Sequence, residues 1–133
     1  MTAFTLKQEK ELPEEQLMNL FLSVGWESGK HPDRLVKAMR GSHSVMTVWD
    51  DHRLVGLMNA LSDGEMTVYY HYLLVDPAYQ MKGVGSMLVD AMKKKYQTCL
   101  RQVLIAYDDA IPFYLKHGFL AGEGRAPLQI AAF

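Results

Sequence analysis

The chain has 133 residues, 49% of them apolar and 22% charged. That length and balance give one compact domain, residues 1–133, with enough chain for a full core, and they exclude a disordered tail. A formal charge of -1, from 14 Lys and Arg against 15 Asp and Glu, excludes the basic footprint of a nucleic-acid binder.

In chain order, Thr2 to Lys7 alternates as a short strand. Pro13, Glu14 and Glu15 open a helix carrying Leu17, Leu20, Phe21 and Val24, and Gly25 stops it. After a loop from Trp26 to His31, Pro32 and Asp33 open a second helix that places Leu35, Val36, Ala38 and Met39 on one face before Gly41. Ser44 to Trp49 and Arg53 to Leu61 read as a hairpin joined through Asp50-Asp51-His52. The turn Ser62-Asp63-Gly64-Glu65 leads into Met66 to Val75, the most continuous apolar and aromatic run and therefore a central strand. A third helix, Gly83 to about Tyr96, buries Met87, Leu88, Ala91 and Met92. Its end carries Lys93-Lys94-Lys95, where cations complement the helix dipole. Gln102 to Ala106 is a further strand, Ile111 to His117 a short helix, and Phe119 onward a closing strand or hairpin. Strands, then a helix, then a strand specify an α/β domain without repeats or linkers.

The lone cysteine, Cys99, rules out an intrachain disulfide and a Cys-rich zinc site and suits a reducing compartment. It follows a helix C-terminus, where no activating group is supplied for a catalytic thiol. The first residues hold no apolar signal core, and no stretch approaches about eighteen uninterrupted apolar residues, so no membrane role and a cytoplasmic location are expected. His31, His43, His52 and His117 lack metal-ligand spacing, and a solvated loop or turn position suffices for each; no metal is expected.

The most informative stretch is Gln80-Met81-Lys82-Gly83-Val84-Gly85, a glycine-bearing turn between the apolar strand and the third helix. The first amides of a helix have no intrahelical partner and sit at the positive end of its dipole, so this junction suits a phosphorylated ligand. Gly83 and Gly85 keep side chains out of the way, and Lys82 adds a cation. The stretch lacks the closing G-K-S/T of a P-loop and the third glycine of the dinucleotide fingerprint, which weakens kinase and dehydrogenase readings.

What it does match is Q/R-x-x-G-x-G, the pyrophosphate signature of the GNAT acyltransferases, here preceded by L-L-V-D-P-A-Y and followed by a helix. Downstream, Ile111-Pro112-Phe113-Tyr114-Leu115-Lys116-His117-Gly118-Phe119 resembles that superfamily's F-Y-x-x-x-G-F segment. With L-F-x-S-V-G-W near the start, the chain resembles small single-domain members that include plant serotonin N-acetyltransferases and bacterial homologues, over roughly Leu20 to Phe119.

The resemblance implies a mixed, mostly antiparallel central sheet with splayed central strands, flanked by helices. It implies acetyl-CoA as co-substrate and direct attack of a neutral amine on the thioester. Cofactor contacts fall on Leu73, Leu74 and Val75 for the pantetheine arm, on Gln80, Met81, Lys82, Gly83, Val84, Gly85 and Ser86 for the diphosphate, and on Phe113, which serves equally as packing. Tyr114 is the expected general acid toward the departing thiolate. For the base, His71 is preferred over Tyr72, Asp63 and Glu65 because imidazole takes up protons near neutrality. Strand alternation sends His71 and Tyr72 to opposite faces, so only one of them is expected in the cleft.

Three departures stand out. Tyr72 occupies a position where these relatives usually carry an acid, and Met81 one where a small residue is frequent; the tail from Gly124 to Phe133 has no counterpart. The expected acceptor is a small-molecule amine, aromatic or alkyl, with Trp26, Tyr69, Tyr70 and Tyr72 available to line its site. The loss of the acid keeps open a second function, a catalytically silent CoA-binding sensor or interaction module. Strand edges near the C-terminus allow a homodimer.

Overall fold

The computed structural model describes residues 3–132. Thr2, expected in the first strand, and Phe133, the last residue of the tail, lie outside the described residues. Five strands, β1 (Phe4–Gln8), β2 (Ser44–Asp50), β3 (Arg53–Ser62), β4 (Thr67–Val75) and β5 (Arg101–Leu104), form one sheet in the order β1-β2-β3-β4-β5. The first three pairings are antiparallel and the last is parallel. A parallel pair cannot be joined by a tight turn. The crossover is supplied by helix α3 (Val84–Lys95), while α1 (Glu14–Ser23) and α2 (Pro32–Gly41) lie between β1 and β2, and α4 (Ile111–Lys116) follows β5.

Alternation along the strands divides the core in two. One face of the sheet packs Leu54, Leu57 and Leu74 against Leu17, Leu20 and Phe21 of α1 and Leu35 and Met39 of α2. The other packs Val55, Met58, Val68 and Tyr70 against Val84, Leu88, Val89 and Met92 of α3. Each fully buried side chain of this kind contributes about 1.5–3 kcal/mol through removal of apolar surface from water. Cys99 packs against the second layer as a small core residue.

The closing strand expected from Phe119 onward does not form. Residues 119–132 adopt neither helix nor strand, and every residue from Leu120 to Ala132 is exposed. The apolar residues there are separated by Gly122, Gly124, which takes φ +72°, and Pro127, so no uninterrupted run presents a ladder to β5. The loop expected from Trp26 to His31 contains a 3-10 turn at Glu27–Lys30.

Gly56 sets the distance between sheet and helix. A Cβ at this position would lie 2.6 Å from Val84 Cγ1 and 3.2 Å from Leu88 Cδ1, so only glycine lets the first turn of α3 rest on β3. Gly56→Val is expected to destabilise the fold by about 1–3 kcal/mol through overpacking. A fall of the urea midpoint at constant m value checks this; an unchanged midpoint contradicts the close approach.

Candidate active site

The site grows from a divergence between neighbouring strands. β5 pairs with β4 only from Thr67↔Arg101 to Tyr70↔Leu104. Beyond that point β4 continues to Val75, held on one side by Gly56↔Val75, Leu57↔Leu74 and Met58↔Leu73 of β3 and open on the other. Leu73, Leu74 and Val75 thus form a strand segment with no strand partner on its outer edge, where only the Val75 carbonyl is taken, by Gln80 Nε2, and Leu74 itself is buried in the core.

At the same place β4 carries a bulge. The register with β3 shifts between Met58 and Ala60, whose partners are Leu73 and Tyr70, so His71 and Tyr72 together oppose Asn59. Asn59 is buried and accepts a hydrogen bond from the Tyr72 amide at 2.8 Å while donating to Ser42 Oγ at 3.1 Å. The extra residue inverts the alternation. Val68 and Tyr70 face α3 before the bulge, whereas Tyr72 and Leu74 face α1 after it. His71 and Tyr72 therefore share a face, their rings stacked with centroids 3.9 Å apart. The expectation that they point oppositely is corrected by this one inserted residue.

The divergence opens a pocket of about 970 Å³ whose lining includes Trp26, Tyr69, His71, Tyr72, Tyr107 and Tyr114. Tyr72 packs edge-on to Phe21, lies beside Trp26, and shares a 2.9 Å hydrogen bond with Ser28 Oγ. Burial lowers the pKa of His71 from its ordinary value although its surface is partly open, because the surrounding rings disfavour the imidazolium. Burial pushes the Tyr114 phenol up to about 12. At neutral pH the pocket consequently presents a neutral imidazole and a protonated phenol. Asp63 and Glu65 do not line it. Asp63 instead accepts the amides of Glu65, Met66 and Thr67, which hold its carboxyl below the usual range and close the β3–β4 turn.

Next to the open edge lies the Gln80–Ser86 stretch. Met81 and Gly83 both take positive φ, 64° and 85°, and Gly83 forms the left-handed N-cap of α3. The Met81 side chain is fully exposed, and nothing lies within 4 Å of the place a Gly83 Cβ would occupy. The first helical bond at this end runs from Met87 N to Gly83 O at 3.0 Å, so the amides of Val84, Gly85 and Ser86 precede the ladder. Gln80 Nε2 donates to Val75 O at 3.2 Å, and Lys82 Nζ stands 5.6 Å over the Tyr79 ring. A Gly85 Cβ would approach Phe113 Cζ at 3.3 Å, so Phe113 of α4 seals the back of the turn. The turn is braced from the sheet: Arg53 Nη2 donates to Asp76 Oδ2 at 2.7 Å, and the Tyr79 hydroxyl to Asp50 Oδ2 at 2.7 Å.

This geometry suits a dianionic ligand with an extended, amide-bearing arm: unpaired amides, an open cradle over Gly83, a lysine at its rim, and a free strand edge leading to the pocket. Among the described residues no group of three or more His, Cys, Asp or Glu could hold a metal ion. Sequence reasoning missed Asn59, whose signal was an amide inside an otherwise apolar strand. It also missed His117, which bridges Ser86 Oγ at 3.1 Å and Asp90 Oδ1 at 3.3 Å, and His43, bonded to the Tyr96 hydroxyl at 2.6 Å.

Residues 41–120 match the family model of the acetyltransferase (GNAT) domain. Comparison with curated proteins finds no match. Among solved structures, a GNAT-family acetyltransferase from Streptococcus pneumoniae superposes with TM-score 0.82 at 23% identity, covering 98% of this chain and 100% of that one. A probable acetyltransferase from methicillin-resistant Staphylococcus aureus gives 0.85 at 20% identity, over 98% and 100%. An aminoglycoside N-acetyltransferase in complex with CoA gives 0.73 at 14% identity, over 100% and 97%. At these identities the structural likeness shows a shared fold.

Asn59→Leu removes the buried acceptor of the Tyr72 amide and the donor to Ser42. The expected loss is about 1–3 kcal/mol, the penalty for leaving buried polar groups unpaired, read as a lowered urea midpoint. Unchanged stability contradicts the role assigned to Asn59 in pinning the bulge.

Proposed function

The chain belongs to the GNAT acetyltransferase family, and we propose that it moves the acetyl group of acetyl-CoA to a primary amine of a small molecule by direct attack on the thioester. The observation that carries this reading is the meeting of His71 and Tyr114 in one pocket at the point where β4 leaves β5. Leu73, Leu74 and Val75 offer their free main-chain edge to the pantetheine amides. Gln80, Met81, Lys82, Gly83, Val84, Gly85 and Ser86 hold the diphosphate, mainly through amides, with Phe113 fixing the turn from behind.

His71, kept neutral by burial, takes the proton of the attacking amine. Tyr114, kept protonated by burial and with its hydroxyl bonded to no described residue, donates to the departing thiolate. Main-chain amides at the open edge meet the charge that develops on the carbonyl oxygen. Alignment of the two substrates in a confined pocket supplies the remainder.

The acceptor is a small amine bearing an aromatic or alkyl group. Trp26, Tyr69, Tyr72 and Tyr107 supply apolar faces, and Glu27 is the sole carboxylate lining the pocket among the described residues. It is already paired with Lys30 at 3.2 Å. Aminoglycosides, the class named for two of the structural neighbours, carry several ammonium groups and call for more carboxylates than this pocket offers. Cytoplasmic location is part of the same proposal and rests on the lone cysteine; no helix of the described residues is long and apolar enough to cross a membrane. A homodimer, joined through an outer strand of the sheet, is likewise proposed. The second reading, a silent CoA-binding sensor, is favoured by Tyr72, whose hydroxyl is tied to Ser28 and replaces an acid.

Thiol release from acetyl-CoA across an amine panel separates the two: tight CoA binding without turnover on any amine would establish the sensor. Gly83→Glu brings bulk and negative charge to the cradle and is expected to weaken CoA roughly tenfold or more; wild-type affinity would count against the diphosphate site. Tyr114→Phe is expected to lower kcat by about a hundredfold with CoA affinity unchanged. Because the His71 pKa is lowered from 6.5, kcat should hold through neutrality and fall only as pH drops below that ordinary value. His71→Gln should abolish that acid limb, and a limb that survives the substitution would exclude His71 as the base.

A further inference from the structure

Ser86 Oγ shares a hydrogen bond with His117 Nε2, and Asp90 stands by the other ring nitrogen, forming a polar chain outside the pocket that holds His71 and Tyr114. Ser86 and Asp90 stand one turn apart on α3, and His117, the C-cap of α4, reaches between them. Its Nε2 lies 3.1 Å from Ser86 Oγ and its Nδ1 3.3 Å from Asp90 Oδ1. Lys93 Nζ donates to the His117 carbonyl, and the Phe113 ring covers the imidazole at 4.6 Å between centroids. The His117 side chain is only 16% exposed, against 69% for Asp90. The chain therefore ends, on its inner side, on a hydroxyl of the turn assigned above to the diphosphate. It is distant in role from the acyl-transfer chemistry, since none of its three members lines the pocket.

The proton inventory of this chain is restrictive. An ionised Asp90 only accepts, so Nδ1 carries hydrogen; a neutral ring then leaves Nε2 as an acceptor, and Ser86 must donate to it. A phosphate oxygen at the start of α3 also needs a donor, and the Ser86 hydroxyl has one hydrogen to give. Once that hydrogen turns to the ligand, Nε2 faces the lone pairs of Ser86 Oγ with nothing between them. A proton taken from solvent onto Nε2 restores the bond in the reverse direction and sets a positive charge beside the anion. Of the charged groups in contact with His117, Asp90 favours this charge and Lys93 of α3 opposes it; the dianion tips the balance.

We propose that diphosphate binding at α3 is coupled, through Ser86, to uptake of a proton by His117, with Asp90 holding the ring in the required orientation. The inference rests on the cofactor reading of the Gln80–Ser86 turn and adds to it a proton-linked affinity. CoA would then bind more tightly as pH falls through the range, about 5 to 8, in which imidazoles change charge.

Titration calorimetry with 3′-dephospho-CoA, repeated in buffers of different ionisation enthalpy, tests it. This probe keeps the diphosphate and lacks the phosphate monoester, whose second ionisation near pH 6 would add protons of its own. Wild-type protein is expected to take up as much as about one proton per ligand near pH 7.5, with affinity falling by up to about tenfold per pH unit above that point. His117→Gln, whose amide can still donate to Ser86, should bind with no net uptake and a flat pH dependence. Asp90→Asn, at an exposed helix position, should fold normally and take up fewer protons. Saturable binding without uptake, or equal uptake in His117→Gln and wild type, overturns the coupling while leaving the cofactor site intact. No binding of the probe or of CoA by wild type overturns both.

Discussion

β4 is a central strand that has a partner on both sides only as far as Tyr70. Main-chain groups removed from water must be paired, and apart from the Val75 carbonyl, which accepts from Gln80 Nε2, the outer edge of the partly buried segment before it places a demand for an external hydrogen-bonding chain. Everything assigned to the site is arranged around that demand. The pocket occupies the gap left by β5, the glycine turn sits at the end of the open edge, and α4 closes the far side with Phe113 and Tyr114. The parallel β4–β5 pair makes the gap workable, because its crossover helix α3 starts beside the end of the open strand.

The two ends of the site use opposite electrostatic means. Around His71 and Tyr114 partial removal from water disfavours charge, which lowers the pKa of the imidazole and raises that of the phenol. At the start of α3 it offers unpaired amides, a helix dipole and Lys82 to an anion. On the function proposed above, an acyl carrier with a charged nucleotide at one end and a neutral thioester at the other meets a suited environment at both, with one strand edge between them.

Much of this was legible from residue patterns. The Gln80–Gly85 turn announces its helix and its left-handed backbone locally, through glycines that free the chain. Ile111 to Phe119 likewise carries its helix and stop in sequence. The bulge at His71 and Tyr72 was not legible from alternation, which presumes that no residue is inserted; only Asn59, polar within Leu-Val-Gly-Leu-Met-Asn-Ala-Leu, hinted that a strand amide across from it lacked a normal partner. The tail after Phe119 has strand-forming residues but breaks at Gly122, Gly124 and Pro127, and local propensity overstated what they could do. His117 looked like a solvated turn residue because its role depends on α4 lying against α3, a tertiary relation that spacing along the chain does not encode.

Gly56 joins the core to the chemistry. The first turn of α3 is pressed onto β3 with Val84 fully inside, so the residues that present amides to an anion are fixed by the same contact that seals the hydrophobic layer. A ligand arriving there meets donors already set in place, and little backbone entropy remains to be lost on association. The corollary concerns evolution: on the function proposed above, the turn at the start of α3 cannot drift in position without loosening the interior, whereas the aromatic walls of the pocket are free to change the acceptor without disturbing the grip on the carrier.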